Sequence, residues 1–314
     1  MIKSKNSRSV AVILGFYNGN KFILDQIDSI ISQTHQNISI FIFDDNSTEK
    51  IFKNEILQRQ KFKNQIRIIK RKYNLGYAKN FLNGLMEVKD NFDYYAFSDQ
   101  DDIWEKDRIE EALINLNNKN KLTAYLYCTR TTYCNYDCSR EIGSSKIFKK
   151  PATFNNAILQ NIAGGNTIVL NNKAKKIISK TIKCKDYISH DWWCYQIISA
   201  TGGEIIFNHK RTVRYRQHNK NLIGMNCSFE DKIKRLFAFI SGQYKYWLEV
   251  NIRNLKLNED IFLKKNLKVL HYFSNTRKTK NPLRKIDYYI KSGVYRQSKI
   301  ENIIMTIGLL LNKI

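Results

Sequence analysis

The chain has 314 residues, with 53 Lys and Arg against 28 Asp and Glu, a net charge of +25, and side chains that are 43% hydrophobic and 12% aromatic. That apolar content fills a core of ordinary size and excludes a disordered tail, while two prolines, Pro151 and Pro282, leave no proline-rich linker. The positive surplus predicts attraction to polyanions, whether nucleic acid, anionic lipid or a phosphorylated substrate, with part of the Lys, Asn and Ile bias attributable to genomic base composition.

Residues 10–14 form a continuous β-prone apolar run, and within 21–33 Phe22, Ile23, Ile27, Ile30 and Ile31 fall at helical spacing. The same alternation recurs as strand 38–43 with helix 49–60, strand 66–69 with helix 78–88, and strand 94–97 with helix 106–116. Four strand–helix units in succession predict an α/β fold around a parallel sheet with right-handed crossovers. After a strand at 122–132 the alternation lapses, and 133–150 reads as a loop or insertion. A strand at 166–170, a short helix at 175–180 and a helix at 189–200, ended by Gly202-Gly203, come next. Residues 204–207 and 212–215 read as two more strands.

From about Ser228 the pattern becomes amphipathic and helical, with Ile233, Leu236, Phe237 and Ile240 on one face. Residues 226–314 carry 18 basic and 7 acidic side chains, a difference of +11, and end in an apolar helix at 300–311 too short to span a bilayer. The expected division is therefore 1–225, a catalytic domain, and 226–314, a basic helical C-terminal module. That module suits docking on an anionic membrane surface, packing on the catalytic domain, or a homodimer contact. The basic start shows no small-residue cleavage site, and no window reaches the roughly 18 apolar residues of a spanning helix. A cytoplasmic protein held peripherally at the inner face of the membrane is expected. The six cysteines, Cys128, Cys134, Cys138, Cys184, Cys194 and Cys227, are then expected as free thiols, because no CxxC pair or nearby His supports zinc.

In parallel sheets ligands bind beyond the carboxyl ends of the strands. Those ends here read Gly15-Phe16-Tyr17-Asn18-Gly19, Asp44-Asp45-Asn46-Ser47, Asn74-Leu75-Gly76 and Ser98-Asp99-Gln100-Asp101-Asp102. Two carboxylates two residues apart, Asp99 and Asp101, can face one hard cation, Mg2+ or Mn2+, although Asp101 or Asp102 would equally cap a helix starting near Trp104. Arg216 and His218, just past a strand, offer a planar fork and a ring donor for diphosphate oxygens, with His218 also a candidate metal ligand. Trp192 and Trp193 offer flat faces for a sugar ring, though adjacent tryptophans on a helix point different ways. Gly164 and Gly165 suit close passage of backbone beside donor or acceptor, or a simple turn.

Six blocks in order, FYNGNKFILDQIDSIISQTHQNISIFIFDDNST, NLGYAKNF, FSDQDDIW, AGGNTIVLN, HDWW and YRQHNKNLIG, span about residues 9–224. Together they resemble the bacterial family 2 glycosyltransferases, most closely the rhamnosyltransferase-like enzymes that assemble surface polysaccharides. The resemblance implies a GT-A fold, a mostly parallel nucleotide-binding sheet flanked by helices, followed by an acceptor half. It also implies an inverting transfer from a UDP- or dTDP-sugar to a saccharide acceptor, expected to be lipid-linked. Carried over by position, Tyr17, Asn18, Asp44 and Asp45 contact the nucleoside and Asp99-Gln100-Asp101 is the DxD-type metal site. Asp191 is the general base, with His190, Trp192 and Trp193 toward the acceptor. Gly15 stands where many members carry Thr or Ser, which predicts a looser nucleotide grip. A nucleotidyltransferase and a basic nucleic-acid-binding protein are the alternatives. The first lacks its phosphate loop and the second has no use for so many carboxylates, so no nucleic acid is expected as partner.

Overall fold

The computed structural model describes residues 8–59, 65–117, 119–218 and 241–314. Its first half runs β1 (Val10–Phe16), α1 (Asn20–Ile31), β2 (Ile38–Asp44), α2 (Lys53–Gln58), β3 (Gln65–Lys70), α3 (Tyr77–Glu87) and β4 (Tyr94–Ser98). After a short β5 (Ile103–Trp104) come α4 (Arg108–Leu116), β6 (Tyr125–Cys134), β7 (Glu141–Ser144), α5 (Phe154–Ala157), β8 (Val169–Asn171), α6 (Asn172–Lys180), α7 (His190–Ala200) and β9 (Glu204–Arg216). Among the described residues nine strands form one sheet in the order β3-β2-β1-β4-β8-β6-β9-β5, with β7 paired to β6.

The first four strands are parallel, in register so that Phe16 lies beside Asp44 and Leu14 beside Ser98. β1 is buried on both faces, and its alternation divides two cores. Ala11 and Ile13 face the layer of α3 and α7, whereas Val10, Val12, Leu14 and Phe16 face α1 and α4. A run of apolar residues with no polar alternation is what a strand covered by helices on both sides requires.

Beyond β4 the sheet becomes mixed. β8 runs antiparallel to β4 and to β6, β6 parallel to β9, and β5 antiparallel to β9. The segment 133–150, expected as a loop, contains β7, whose exposed and half-buried residues leave no hydrophobic alternation to read. β9 is one strand of 13 residues where two were expected, because pairing to β6 resumes at Arg211 after an irregularity that takes up the polar residues following Phe207. The helix expected to begin near Trp104 starts at Arg108 instead, since Ile103 and Trp104 pair with Arg214 and Val213.

Among the described residues four α-helices follow: α8 (Gln243–Lys256), α9 (Lys264–Lys278), α10 (Pro282–Ser292) and α11 (Lys299–Leu310). The expected boundary between 225 and 226, the cluster of Ile233, Leu236, Phe237 and Ile240, and Cys227 lie outside the described residues. The four helices share one core with the first domain, since Leu248, Leu255, Phe273 and Leu309 belong to the same buried cluster as Phe154, Trp192 and Trp193. Asn266 donates its amide to the carbonyls of Ser199 and Ala200 at 3.0 and 2.8 Å, closing the C-terminal end of α7.

α3 sits so close to the sheet that a Cβ on Gly84 would lie 2.7 Å from the Phe43 ring and 3.1 Å from Ile13. Gly84→Val should therefore lower stability by about 1–3 kcal/mol in urea unfolding. An unchanged midpoint would mean that α3 can lift from β1 and β2 without cost.

Candidate functional site

Strand order reverses at β1, which has β2 on one side and β4 on the other, and a crevice opens at the carboxyl ends of β1 and β4. The Gln100 side chain bridges it. Its oxygen accepts the Tyr17 N–H at 2.8 Å and its nitrogen donates to the Tyr17 carbonyl at 3.1 Å. Asn18 has φ 47°, a conformation its short amide tolerates, and its side-chain oxygen accepts the N–H groups of Thr48 and Glu49 at 3.0 and 3.1 Å. The loops after β1 and β2 are thereby stapled together.

Asp44 and Asp45 are buried. One Asp44 oxygen accepts the Ser47 N–H at 2.8 Å, and the two Asp45 oxygens accept the N–H groups of Leu75 and Gly76 at 2.7 and 2.9 Å. Asn18 and Asp45, expected at the nucleoside, are thus engaged in holding loops. Tyr17 is the member of that group that shows its ring to solvent, 46% exposed.

The loop after β4 gathers its carboxylates against little water. Burial, with Asp101 and Asp191 as like-charged neighbours, pushes the Asp99 carboxyl up to about 8. Asp102 is pushed well up by burial and then by Asp99 and Asp101; one of its oxygens takes the Asn166 amide and the other has no partner. Beneath it lies Arg108, buried, stacked on the Trp104 ring at 3.6 Å and donating to the carbonyls of Phe97 and Asn166. Burial brings that guanidinium down to about 9.

The Arg216 guanidinium donates to the Asp101 carbonyl at 3.0 Å, the Tyr136 carbonyl at 2.8 Å and the Asp25 carboxylate at 3.0 Å, over the Phe22 ring. These bonds tie Arg216, expected at the diphosphate, to the acidic loop. His218, expected as a donor or metal ligand, stacks on Phe22 and sets Nε2 2.8 Å from an Asp101 oxygen.

Ser189 caps α7, its hydroxyl accepting the Trp192 N–H, which leaves Asp191 in the first turn with another task. One Asp191 oxygen accepts the Gly165 N–H at 3.1 Å and the other the Trp192 N–H at 2.7 Å. Asp191 and Asp99 act electrostatically on each other, and burial, followed by these two carboxylates, pushes up the pKa of Tyr77, whose hydroxyl donates to the Ile188 carbonyl at 2.8 Å. Asp191 and the acidic loop after β4 are joined through adjacent residues, since Gly165 donates its N–H to Asp191 and Asn166 its amide to Asp102.

Three expected acceptor residues are core instead. Trp192 and Trp193 are 5% and 1% exposed, their ring N–H groups donating to the Ala157 carbonyl and the Thr181 hydroxyl. Helix α7 is buried all round, so neither indole has a free face to offer a sugar. His190 is 4% exposed, stacked on Phe81 at 4.2 Å with the Phe97 ring edge-on, and burial brings it down to about 4. It is a neutral packing piece. A Cβ on Gly165 would strike its ring at 2.6 Å, and a Cβ on Gly15 would strike Phe81 at 2.7 Å, so both glycines are explained by this stack. Gly164 is exposed and has ordinary space for a side chain.

Among the described residues no three His, Cys, Asp or Glu side chains enclose an ion by themselves. Asp99 and Asp101 nonetheless suit Mg2+ or Mn2+, since such ions are held by one or two carboxylates and complete their shell with phosphate oxygens. Repulsion that raises Asp99 is the electrostatic strain a cation relieves.

Tyr77, Arg108, Asn166 and Asp25 were not singled out from sequence. Asp25, Tyr77 and Asn166 stood inside recognisable blocks, but Arg108 is an ordinary helix residue whose partners are distant in the chain.

Residues 11–178 match the family model described as glycosyl transferase family 2. The chain is 33% identical over 231 residues to dTDP-rhamnosyl transferase RfbG of Shigella flexneri, covering 70% of this chain and 76% of that one. Over 181 residues it is 29% identical to UDP-Glc:alpha-D-GlcNAc-diphosphoundecaprenol beta-1,3-glucosyltransferase WfaP of Escherichia coli, covering 57% and 67%. The solved structure of S. aureus TarS 1-349 in complex with UDP-GlcNAc superposes with a TM-score of 0.56 at 15% identity, covering 91% of this chain and 93% of that one. The fold is that of the GT-A glycosyltransferases, an α/β sheet flanked by helices whose nucleotide-side half is parallel.

Between 3.8 and about 8 the folded chain keeps a proton on Asp99 that the unfolded chain has lost, so stability falls as pH rises through that window. In EDTA the thermal midpoint of the unsubstituted protein should fall with pH more steeply than that of Asp99→Asn, and Mn2+ should restore the former alone. Parallel pH profiles for the two proteins would show that the strain does not reside at Asp99.

Proposed function

The chain belongs to glycosyl transferase family 2, and on that premise we propose that it moves a sugar, with inversion, from a nucleoside diphosphate to a hydroxyl of a lipid-linked saccharide. The setting is surface-polysaccharide synthesis at the cytoplasmic face of a membrane. The supporting observation is that Asp191, 92 positions beyond Asp99, is brought beside the acidic loop at the reversal point of the sheet, with Gly165 and Asn166 donating to Asp191 and Asp102. Membership also displaces the nucleotidyltransferase and nucleic-acid readings.

In this reading the nucleoside lies on the exposed ring of Tyr17 beside Asp44, with a pyrimidine base in keeping with relatives named for dTDP-rhamnose and UDP-glucose. Asn18 and Asp45 hold the loops that shape this end, and Gln100 couples it to the acidic loop. Asp99 and Asp101 hold Mg2+ or Mn2+ together with the diphosphate, and His218 orients Asp101. The cation, when bound, neutralises charge building on the departing nucleoside diphosphate. Arg216 keeps the loop in place while that charge develops.

A sugar hydroxyl is a weak nucleophile, and the proton it loses needs an acceptor within hydrogen-bond reach. Asp191 is that base. The Gly165 and Trp192 N–H groups fix its plane in the first turn of α7. Exposed Gly164, which packing does not require, leaves room for a sugar ring to pass over the backbone.

A screen of dTDP- and UDP-sugars for Mn2+-dependent hydrolysis should find at least one donor that releases nucleoside diphosphate and protects the protein against heat. Release of pyrophosphate instead would sink the reading. Asp191→Asn should lower kcat about 10²–10⁴-fold while donor Kd and thermal midpoint stay near those of the unsubstituted protein. Full activity in that variant would remove Asp191 from the chemistry.

A further inference from the structure

The last helix carries a second, exposed apolar face on which no described residue closes a core. On α11 and its cap, Ile300, Ile303, Ile304, Ile307, Leu310 and Leu311 are between 40% and 69% exposed, while Met305 and Leu309 are buried in the shared core. At about 100° per residue these six side chains fall within an arc of about 120°, opposite the buried ones. The helix is thus apolar toward the protein and apolar toward the outside, which is not how a solvated surface helix is built. No helix among the described residues is long and apolar enough to cross a membrane.

From Lys280 to Ile314 seven basic side chains stand against two acidic ones. Both acids are already paired, Asp287 with Lys291 at 2.8 Å and Glu301 with Arg296 at 3.1 Å. Lys299 and Lys313 bracket the apolar arc, and Lys280 and Arg284 stand exposed at the start of α10.

We infer that the outer face of α11 is a docking surface for an anionic lipid bilayer, on which the helix lies flat with its isoleucines among the acyl chains and its lysines at the headgroups. A second copy of the chain fits this surface poorly, since it would bring the same uncompensated cations against each other. A phosphate-rich lipid surface supplies both the apolar volume and the counter-charge.

The seat of the helix makes this docking relevant to the site. Arg296 donates to the Leu159 carbonyl at 2.9 Å, the Gln297 N–H donates to the Gln160 side chain at 2.8 Å, and the Asn156 amide donates to the Tyr295 carbonyl at 3.0 Å. Trp192, next to Asp191, donates to the Ala157 carbonyl in that same segment. A membrane held by α11 therefore has a fixed orientation relative to the base. Docking deepens the function proposed above, resting on it only for the lipid-linked acceptor, and it is measured without any transfer reaction.

The full chain should float with phosphatidylcholine vesicles that contain phosphatidylglycerol, and much less with phosphatidylcholine alone. Ile303→Glu with Ile307→Glu should lower the floated fraction about tenfold or more while soluble nucleotide-sugar binding is kept. If that pair fails to fold, Lys299→Glu with Lys313→Glu should weaken flotation and its salt dependence. The inference is overturned if the unsubstituted chain does not float, or if the isoleucine pair floats equally. It is also overturned if that pair instead dissociates a dimer, which would give the face to a second copy. A chain that floats but transfers no sugar overturns the proposed function and leaves the docking face standing.

Discussion

Crowding of negative charge at one edge of the sheet is the constraint that the rest of the structure serves. Asp99, Asp101, Asp102 and Asp191 stand close enough for their like charges to act on one another. Cations hold them from outside the cavity. Arg108 lies under the loop and Arg216 behind it, both buried and both tied to main-chain carbonyls, so neither fills the space in front of the carboxylates. The arrangement is poised to receive a cation and a diphosphate.

Packing carries that poise across the molecule. Gly15 on β1 admits the Phe81 ring, Phe81 stacks on His190, His190 fits against Gly165, and the Gly165 N–H holds Asp191. β1 and Asp191 are connected by four close contacts in which two glycines leave no slack. In this light Gly15, a departure from the family pattern, belongs to the stack, and its effect is on position as much as on nucleotide grip.

Helix α7 is fixed at both ends as well. Ser189 caps its start, Asn266 closes its last carbonyls, and Asn254 donates to the Asp186 carbonyl just ahead of it. The C-terminal helices thus act as a buttress for the helix that bears Asp191, in addition to presenting an outer face of their own. Their buried residues lie in the same core as Trp192 and Trp193, which explains why an aromatic pair beside the base is used for rigidity and not for sugar stacking.

What the sequence by itself determined is local and periodic. The unbroken apolar runs of β1, β2 and β4 and the helical spacing of α1 place the strands, and the polar residues after each run mark the edge where ligands bind. Asp99, Asp101 and Asp191 were legible because their residue types sit at strand and helix ends within recognisable blocks. Only the tertiary structure decided which polar groups face the cavity and which face the protein. Asp45, Arg216, His190 and the two tryptophans look like binding residues in sequence, yet their partners are Gly76, Tyr136, Phe81, Ala157 and Thr181, most of them distant in the chain. A polar or aromatic side chain bonds to whatever the fold brings within about 3 Å, and no periodicity in the sequence records that distance.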